Sequence, residues 1–116
     1  MTCEPWQVVV VPFPFTDRAT TKRRPALVLS ATEFNRHGYS VLAMITSASH
    51  QAWPGDTPLE DLTVAGLTTP SLVRLKLFTL DNRFIVRQLG TLAARDRVAV
   101  AAAVRKSIPV LASQAS

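Results

Sequence analysis

Basic and hydroxyl side chains at the ends of two apolar segments are the groups in this sequence best suited to phosphate chemistry. Lys22, Arg23 and Arg24 stand directly before one apolar segment, and Thr46 and Ser47 close another. Arginine donates to phosphate oxygens in a planar, bidentate manner and keeps its charge. A hydroxyl can donate to a non-bridging oxygen, as an oxyanion hole does. Cleavage of RNA by its own 2′-hydroxyl needs such donors, whereas a solvated loop would hold the same cations without any function.

Other catalytic and cofactor-binding patterns are missing from the sequence. The four glycines are scattered, so there is no glycine-rich phosphate loop. His37 and His50 lack the spacing of a metal site, and Cys3 as the only cysteine excludes a thiolate metal site and an internal disulfide. Asp56, Glu60 and Asp61 form an acidic segment that is separate from the basic one. These carboxylates suit a Mg²⁺ site, but we favour a solvated acidic loop. We therefore expect no metal and no cofactor.

The composition is that of one folded, basic domain. The chain has 116 residues, of which 47% are hydrophobic, and we expect residues 1–116 to form a single domain. A count of 13 Lys and Arg against 8 Asp and Glu gives a formal net charge of +5, which favours a polyanionic partner. No apolar run reaches the roughly 20 residues of a membrane-spanning helix, and the first residues lack the pattern of a signal peptide. We therefore expect a cytoplasmic protein without a membrane partner.

The apolar segments that must position these side chains have the composition of strands. Residues 6–15 are dense in Val and Phe and suit a strand buried on both faces, which ends or becomes an edge near its two prolines. Further strands are predicted over residues 25–31 and 40–47, and the basic segment is a long loop between the first two strands. If the second and third strands are neighbours, Arg24 and Thr46 meet at one mouth of the sheet.

The second half of the sequence predicts a hairpin and a helix. Residues 59–66 suit one or two helical turns closed by Gly66. Residues 71–81 and 83–92 have the pattern of a β-hairpin. Residues 93–108 have the length and alanine content of a helix, with two basic residues near the C-terminal end that complement its dipole. The predicted fold class is mainly β with α, as an antiparallel sheet or small barrel with one C-terminal helix.

Motifs that follow one another over residues 8–92 resemble the MazF/PemK (Kid-like) growth-inhibitor toxins of bacterial type II toxin–antitoxin systems. They are VVVVPFPFTD, KRRPALVLS, VLAMITS and GLTTPSLVRLKLFTLDNRFIVRQLGTL. The resemblance implies a small Src-homology-3-like antiparallel barrel, of the CcdB/MazF type of plasmid maintenance toxin, that forms a homodimer. It implies a metal-independent, sequence-specific endoribonuclease that cleaves single-stranded RNA to 2′,3′-cyclic phosphate and 5′-hydroxyl ends. It also implies a cognate antitoxin protein and a toxin–antitoxin complex that binds operator DNA.

The resemblance further implies catalytic roles for three residues. The arginine of the Arg-Pro pair is Arg24, with a role in proton transfer or in stabilising the phosphorane. The threonine that closes the third strand is Thr46, a hydrogen-bond donor to the transition state, and the arginine of the Val-Arg pair is Arg74, which contributes to catalysis in some relatives. The sequence departs from the family pattern at Trp6-Gln7, where many relatives have Gly-Asp, and at Lys76, where some have an acid that serves as base. The base must then be Arg24, solvent or another group.

Four more residues are assigned to RNA binding. Lys22 and Arg23 are loop charges that also steer RNA, and neither is expected to be essential to the chemistry. Ser47 either contacts RNA or satisfies backbone groups at a strand end. His50 follows the same strand and is expected to contact RNA rather than to act as an acid or base.

Two further side chains have a structural and a functional interpretation. Arg74 has the alternative of pairing with Asp81 or with the acidic segment instead of serving in catalysis. Trp53 lies in a stretch rich in turn formers, where its ring is suited to stack on a base or to contact an antitoxin.

Three functions remain open on the sequence alone. The first is a ribonuclease toxin, the second is a toxin of the same barrel class that acts on gyrase as CcdB does, and the third is a non-catalytic nucleic-acid-binding barrel. The combination of Arg24 with Thr46 and Ser47 favours the first, because a gyrase poison has no need of phosphate chemistry at that mouth.

Overall fold

The computed structural model describes residues 2–13, 22–49 and 51–112, and these residues form one curled, antiparallel sheet with a C-terminal helix. Its strands are β1 (Gln7–Phe13), β2 (Lys22–Val28), β3 (Tyr39–Ser47), β4 (Thr57–Pro58), β5 (Ser71–Asp81) and β6 (Arg87–Thr91). Its helices are α1 (Thr32–Asn35), α2 (Leu62–Ala65) and α3 (Ala94–Ser107), with 3₁₀ turns at Asn82–Phe84 and Pro109–Ala112. The strand order β4-β5-β3-β2-β1-β6 makes a half-barrel, which confirms the predicted fold class.

Strand β2 begins earlier than the sequence predicts. Its pairing with β1 continues to the register Phe13↔Lys22, so the three cations lie on a strand and not in a loop. The prediction of a basic loop was wrong here. Backbone pairing with the end of β1 makes β2 begin at Lys22, three residues before Pro25. Strand β1 itself is buried on both faces, and β6 accompanies it only as far as Val10. The register with β6 thus ends before Pro12, as the prolines of β1 predict.

Strands β5 and β6 do not form the predicted hairpin. β5 pairs with β3 from Ser47↔Ser71 to Tyr39↔Asp81, and β6 pairs with β1 on the far side of the sheet. The 3₁₀ turn between them is capped by Asp81, whose carboxylate accepts a hydrogen bond from the Arg83 N–H at 2.9 Å. This turn carries the chain across the curl of the sheet instead of reversing it onto β5. The helix prediction, in contrast, agrees with α3, whose last turn contains two basic residues.

The sheet buries apolar side chains on both faces, because successive residues of a strand point in opposite directions. Val8 and Leu27 pack in one cluster together with Val100 of α3. Val9 and Val28 belong to a second cluster on the other face. The strand centres are thus committed to packing, and polar side chains are left to the strand ends.

A close backbone contact joins α2 to the edge strand β6. Gly66 ends α2 in the left-handed conformation with φ of 77°, as the sequence predicts. A Cβ atom on Gly66 would lie 2.3 Å from the carbonyl oxygen of Leu89, and a Cβ atom on Gly90 would lie 2.3 Å from that of Val64. Only glycine permits this approach, which forms one wall of a cavity at the candidate site.

Trp6 shows the physical consequence of the departure from the Gly-Asp pattern of many relatives. Its φ of 74° lies in the left-handed region, which is strained for a bulky residue and free of cost for glycine. Its N–H donates to the Val28 carbonyl at 2.8 Å, and its carbonyl accepts from the Leu92 N–H at 3.0 Å. These two hydrogen bonds connect the end of β2 to the residue after β6 and hold Trp6 in its strained conformation.

Candidate active site

The three residues with implied catalytic roles line one cleft at the ends of three strands. Arg24 comes from β2, Thr46 from β3 and Arg74 from β5, and the cleft has a volume of about 380 Å³. Small-molecule sites in proteins occupy about 300–1,000 Å³, so the cleft has room for a nucleotide-sized group. Its other described lining residues are Phe13, Met44, Gln51, Trp53 and Lys76.

The strand register explains why Arg24 and Thr46 come together. Ala26 of β2 is paired with Met44 of β3. Arg24 and Thr46 each lie two residues beyond this pair toward the cleft, so their side chains continue the same face of the sheet. Met44 is in turn paired with Arg74 of β5, which brings the third residue to the same place. Arg24 therefore faces Thr46 across the ends of neighbouring strands.

A second cavity, of about 330 Å³, shares Arg24 and Thr46 with the cleft. Hydroxyl groups are frequent on its wall, where Ser47, Thr68, Thr69 and Ser71 are found together with Gly66 and Leu89 of the α2–β6 contact. The hydroxyls of Thr68, Thr69 and Ser71 were not among the predicted site residues. Since the two cavities meet along Arg24 and Thr46, these residues lie at the centre of a longer groove.

Arg74 is held by a carboxylate from the segment that the sequence assigned to a solvated loop. Its Nε donates to Oδ1 of Asp56 at 3.1 Å, and its Nη2 donates to Oδ2 of Asp56 at 3.0 Å and to the carbonyl of Gln51 at 2.7 Å. The pairing Thr57↔Val73 between β4 and β5 brings the preceding Asp56 beside the following Arg74. The prediction of a solvated loop was therefore wrong for Asp56, whose side chain is only 9% exposed.

The ion pair fixes the protonation of both partners. The hydrogen bonds from Arg74, and to a lesser extent that from the Trp53 N–H, hold the pKa of Asp56 below its ordinary value. The same pairing raises the pKa of Arg74. A carboxylate with a lowered pKa is a weak base, so Asp56 is poorly suited to accept a proton from substrate.

Aromatic rings and cations alternate along the wall of the cleft. The Trp53 ring centroid lies 4.9 Å from Cζ of Arg74 and 5.6 Å from Nζ of Lys76, which is also 5.7 Å from the centroid of Phe13. With Arg24, three cations line the cleft. Only Arg74 among them is paired with a carboxylate among the described residues, and the cleft thus has an excess of positive charge that attracts phosphate.

Of the residues assigned to RNA binding, the structure describes Lys22, Arg23 and Ser47. Lys22 and Arg23 are exposed on β2, and neither lines the cavities. The Ser47 Oγ accepts a hydrogen bond from the Ser49 N–H at 3.3 Å and lies 2.9 Å from Ser49 Oγ, so its hydroxyl takes part in a local turn. His50 falls outside the described residues. The RNA contacts of all four remain predictions.

The family of the chain follows from a comparison with models of known protein families. The model of the PemK-like, MazF-like toxins of type II toxin–antitoxin systems matches residues 4–108. The chain belongs to this family. The match covers every strand of the sheet and the whole of α3, and so it includes each element that lines the candidate site of this MazF-like toxin.

Solved structures of MazF toxins have the same fold. The Mycobacterium tuberculosis toxin MazF-mt6 is 24% identical, with a TM-score of 0.69 over 89% of this chain and 96% of that chain. The MazF of a MazE–MazF structure from Deinococcus radiodurans is 23% identical, with a TM-score of 0.73 over 98% and 100%. An endoribonuclease in complex with its cognate antitoxin from a mycobacterial species is 16% identical, with a TM-score of 0.73 over 93% and 96%. No curated protein sequence matches the chain significantly.

The described ranges contain neither a membrane-spanning helix nor a metal-binding cluster. None of the helices there is long and apolar enough to cross a membrane. In residues 2–13, 22–49 and 51–112, no three His, Cys, Asp or Glu side chains come together as a metal-binding group.

Proposed function

We propose that this MazF-like toxin is a metal-independent endoribonuclease that cleaves single-stranded RNA at a short sequence and leaves 2′,3′-cyclic phosphate and 5′-hydroxyl ends. The observation that carries the proposal is the convergence of Arg24 and Thr46 on both cavities, with Arg74 on the wall of one. Membership of the family supports it, as does the fold shared with an endoribonuclease.

The donors of the cleft suit the charge that develops during this reaction. The 2′-oxygen of the substrate attacks phosphorus, the bond from phosphorus to O5′ breaks, and negative charge collects on the non-bridging oxygens. In the proposed arrangement Arg24 donates to these oxygens in a bidentate manner, and the Thr46 hydroxyl adds a third hydrogen bond. Arg74 contributes positive charge from the opposite wall. Donors that are fixed before the reaction need no reorganisation in the transition state.

Water is the proposed carrier of the two protons. Among the described residues that line the two cavities, none is a histidine, an aspartate or a glutamate. We therefore assign the 2′-hydroxyl proton to a water molecule, and O5′ takes its proton from water oriented by Arg24. The groups that line the two cavities also suit a metal-independent reaction. Guanidinium, ammonium and hydroxyl groups bind phosphate directly, whereas Mg²⁺ prefers carboxylate ligands.

A single strand suits the groove better than a duplex does. An extended chain can place one phosphate between Arg24 and Thr46 while its neighbours occupy the two cavities on either side. Trp53, with 46% of its surface exposed, presents a ring on which an unpaired base can stack. Bases in a duplex are already stacked on one another and are unavailable for this contact.

The partners are part of the same proposal. Since MazE is found with MazF in one similar structure and a cognate antitoxin with an endoribonuclease in another, we propose a cognate antitoxin for this chain. A homodimer and binding of operator DNA by the toxin–antitoxin complex complete the proposal. Sedimentation of the purified toxin tests the dimer, and a monomer at micromolar concentration would contradict it.

Removal of Arg24 tests the proposed function. Purified wild-type protein is expected to cut single-stranded RNA in excess EDTA, and Arg24→Ala is expected to lower kcat by at least about 100-fold. Arg36→Ala is a matched control, because it removes the same charge from an exposed side chain paired with Glu33. Circular dichroism of all proteins checks that the fold is kept.

Other results would replace the proposal by one of its alternatives. RNA that stays intact with the wild-type protein, while gyrase is trapped on DNA, would favour a gyrase poison. RNA that is bound in a salt-dependent manner and never cut would favour a non-catalytic nucleic-acid-binding barrel.

A further inference from the structure

We propose that Asp56 is a positioning residue of the cleavage reaction, which fixes the guanidinium of Arg74 so that only its Nη1 edge is available to the phosphate of RNA. The inference rests on the proposed ribonuclease function, and it concerns a residue outside the motifs that resemble the family.

The hydrogen bonds of Arg74 account for most of its donors. A guanidinium has five N–H groups. Asp56 accepts from Nε at 3.1 Å and from Nη2 at 3.0 Å, and the Gln51 carbonyl accepts from Nη2 at 2.7 Å. The two N–H groups of Nη1 are left without a hydrogen-bond partner among the described residues. Arg74 therefore cannot grip phosphate through the Nε–Nη2 edge, and it offers the substrate one nitrogen of fixed position.

The same carboxylate also holds the loop that covers Arg74. The Trp53 N–H donates to Oδ2 of Asp56 at 2.8 Å, and the Trp53 ring lies over the guanidinium at 4.9 Å from Cζ. The guanidinium is thus restrained in its plane by Asp56 and Gln51 and on its face by the indole. Its side chain is only 11% exposed, so little freedom remains for it to reorient toward a different phosphate oxygen.

The position of Asp56 also gives a physical meaning to the departure at Lys76. Where some relatives have an acid two residues after this arginine, the present chain has a lysine on β5. A carboxylate reaches Arg74 from the β4 side instead, through the pairing Thr57↔Val73. Without it, none of the three cations of the cleft would be paired with a carboxylate of the described residues. Asp56 therefore sets both the orientation of Arg74 and the charge around it.

Steady-state kinetics of Asp56→Asn separate positioning from charge. Asparagine keeps the shape of the side chain but loses the charge and turns an amide N–H₂ group toward Arg74. We expect kcat to fall by about 10- to 100-fold, as for a catalytic group displaced by about 1 Å, while KM stays level or falls because the cleft becomes more positive. Asp81→Asn is the matched control, since it removes a carboxylate paired with Arg83 at the opposite end of β5, and it is expected to change both constants by less than about twofold.

Two kinetic results would overturn the proposal. A lower KM with unchanged kcat would mean that Asp56 acts on RNA only through its charge. A loss of kcat that matches the loss of folded protein, measured by circular dichroism, would mean that Asp56 only stabilises the fold.

A second measurement needs no RNA. In a Trp6→Phe background Trp53 is the only tryptophan, and Asp56→Asn is expected to shift its emission to longer wavelength because the loop leaves Arg74 and the indole meets more water. An unchanged spectrum would contradict the proposed link between Asp56, Arg74 and the loop. If the wild-type protein cuts no RNA, the proposed function fails and the catalytic role of Asp56 fails with it, while the fluorescence still decides whether Asp56 holds the loop.

Discussion

The Thr46 hydroxyl provides the most specific test of the proposed transition-state contacts. Thr46→Val replaces a hydroxyl by a methyl group and keeps the β-branched shape. Because Thr46 is partly buried at the end of β3 and lines both cavities, the change removes a donor at the centre of the groove and leaves the outline of the wall in place.

The expected loss follows from the position of the hydroxyl. Removal of one preorganised donor to a developing oxyanion lowers kcat by about 100- to 1,000-fold, or about 2.7–4 kcal/mol of transition-state stabilisation. A hydrogen bond made equally in the bound substrate would instead raise KM and leave kcat unchanged. We therefore expect Thr46→Val to lower kcat by about 100-fold or more, with less than a threefold change in KM.

The neighbouring hydroxyl supplies the comparison. Ser47 is exposed and its Oγ is engaged with Ser49, so Ser47→Ala is expected to cost less than about tenfold, mainly in KM. Both variants are measured in excess EDTA on an RNA oligonucleotide that contains the cleaved sequence, after 5′-end sequencing has defined it. Equal losses for the two variants, or a loss for Thr46→Val that lies only in KM, would refute the role of Thr46 as a transition-state donor.

Three further predictions concern the backbone contact of α2, the acid side of the pH range and the exposed cations. Gly66→Ala combines a left-handed φ with a Cβ atom 2.3 Å from a backbone oxygen, and we expect it to lower the free energy of unfolding, measured in urea, by about 2–5 kcal/mol. Gly38→Ala is the control, because Gly38 has a φ of 109° but a Cβ atom there would meet nothing within 4 Å. We expect this control to lower the free energy of unfolding by only about 1–2 kcal/mol. Since the folded pKa of Asp56 is lowered, its stabilising contribution is present above the ordinary carboxyl pKa of about 4 and is lost as the pH falls through the lowered value. The difference in unfolding free energy between wild type and Asp56→Asn should therefore shrink below about pH 4, and a difference that grows there would contradict the ion pair. Replacement of Lys22 and Arg23 by alanine should reduce the slope of log affinity for RNA against log salt by about 0.7 for each phosphate that the protein no longer neutralises, and an unchanged slope would remove both from the RNA path.

The convergence of Arg24 and Thr46 was predictable from the sequence because it depends on local patterns. The apolar strands are long enough to recognise, and the two residues stand at the start of one strand and the end of the next. Two neighbouring antiparallel strands place the start of one beside the end of the other. The register Ala26↔Met44 confirms the arrangement.

The sequence allowed Arg74 to pair with Asp81 or with the acidic segment, but it did not single out Asp56. Asp56 and Arg74 are separated by 18 positions, and the strand that brings them together, β4, contains only two residues. A two-residue strand leaves no periodic pattern, and a stretch rich in turn formers resembles a solvated loop. A local hydrogen bond from the Trp53 N–H to the carboxylate of Asp56, three residues later, also holds Asp56, but such a contact leaves no distinctive sequence pattern.

The pairing of β6 was missed for a related reason. Two adjacent strands in the sequence usually form a hairpin, and the sequence between β5 and β6 contains turn residues. Which free edge a strand joins depends on the curl of the whole sheet, however, and β3 already occupies the long edge of β5. The nonlocal pairing of β6 with β1 therefore appears only in the structure.

The chemistry of the cut ends tests the central claim most directly. A single-stranded RNA oligonucleotide is incubated with the purified protein in excess EDTA, and the masses of both fragments are determined. The proposed attack by the 2′-hydroxyl, with Arg24 and Thr46 as donors to the phosphorane, predicts a 2′,3′-cyclic phosphate on one fragment and a 5′-hydroxyl on the other. A 3′-hydroxyl together with a 5′-phosphate would contradict it, because those ends require attack by water rather than by the RNA itself.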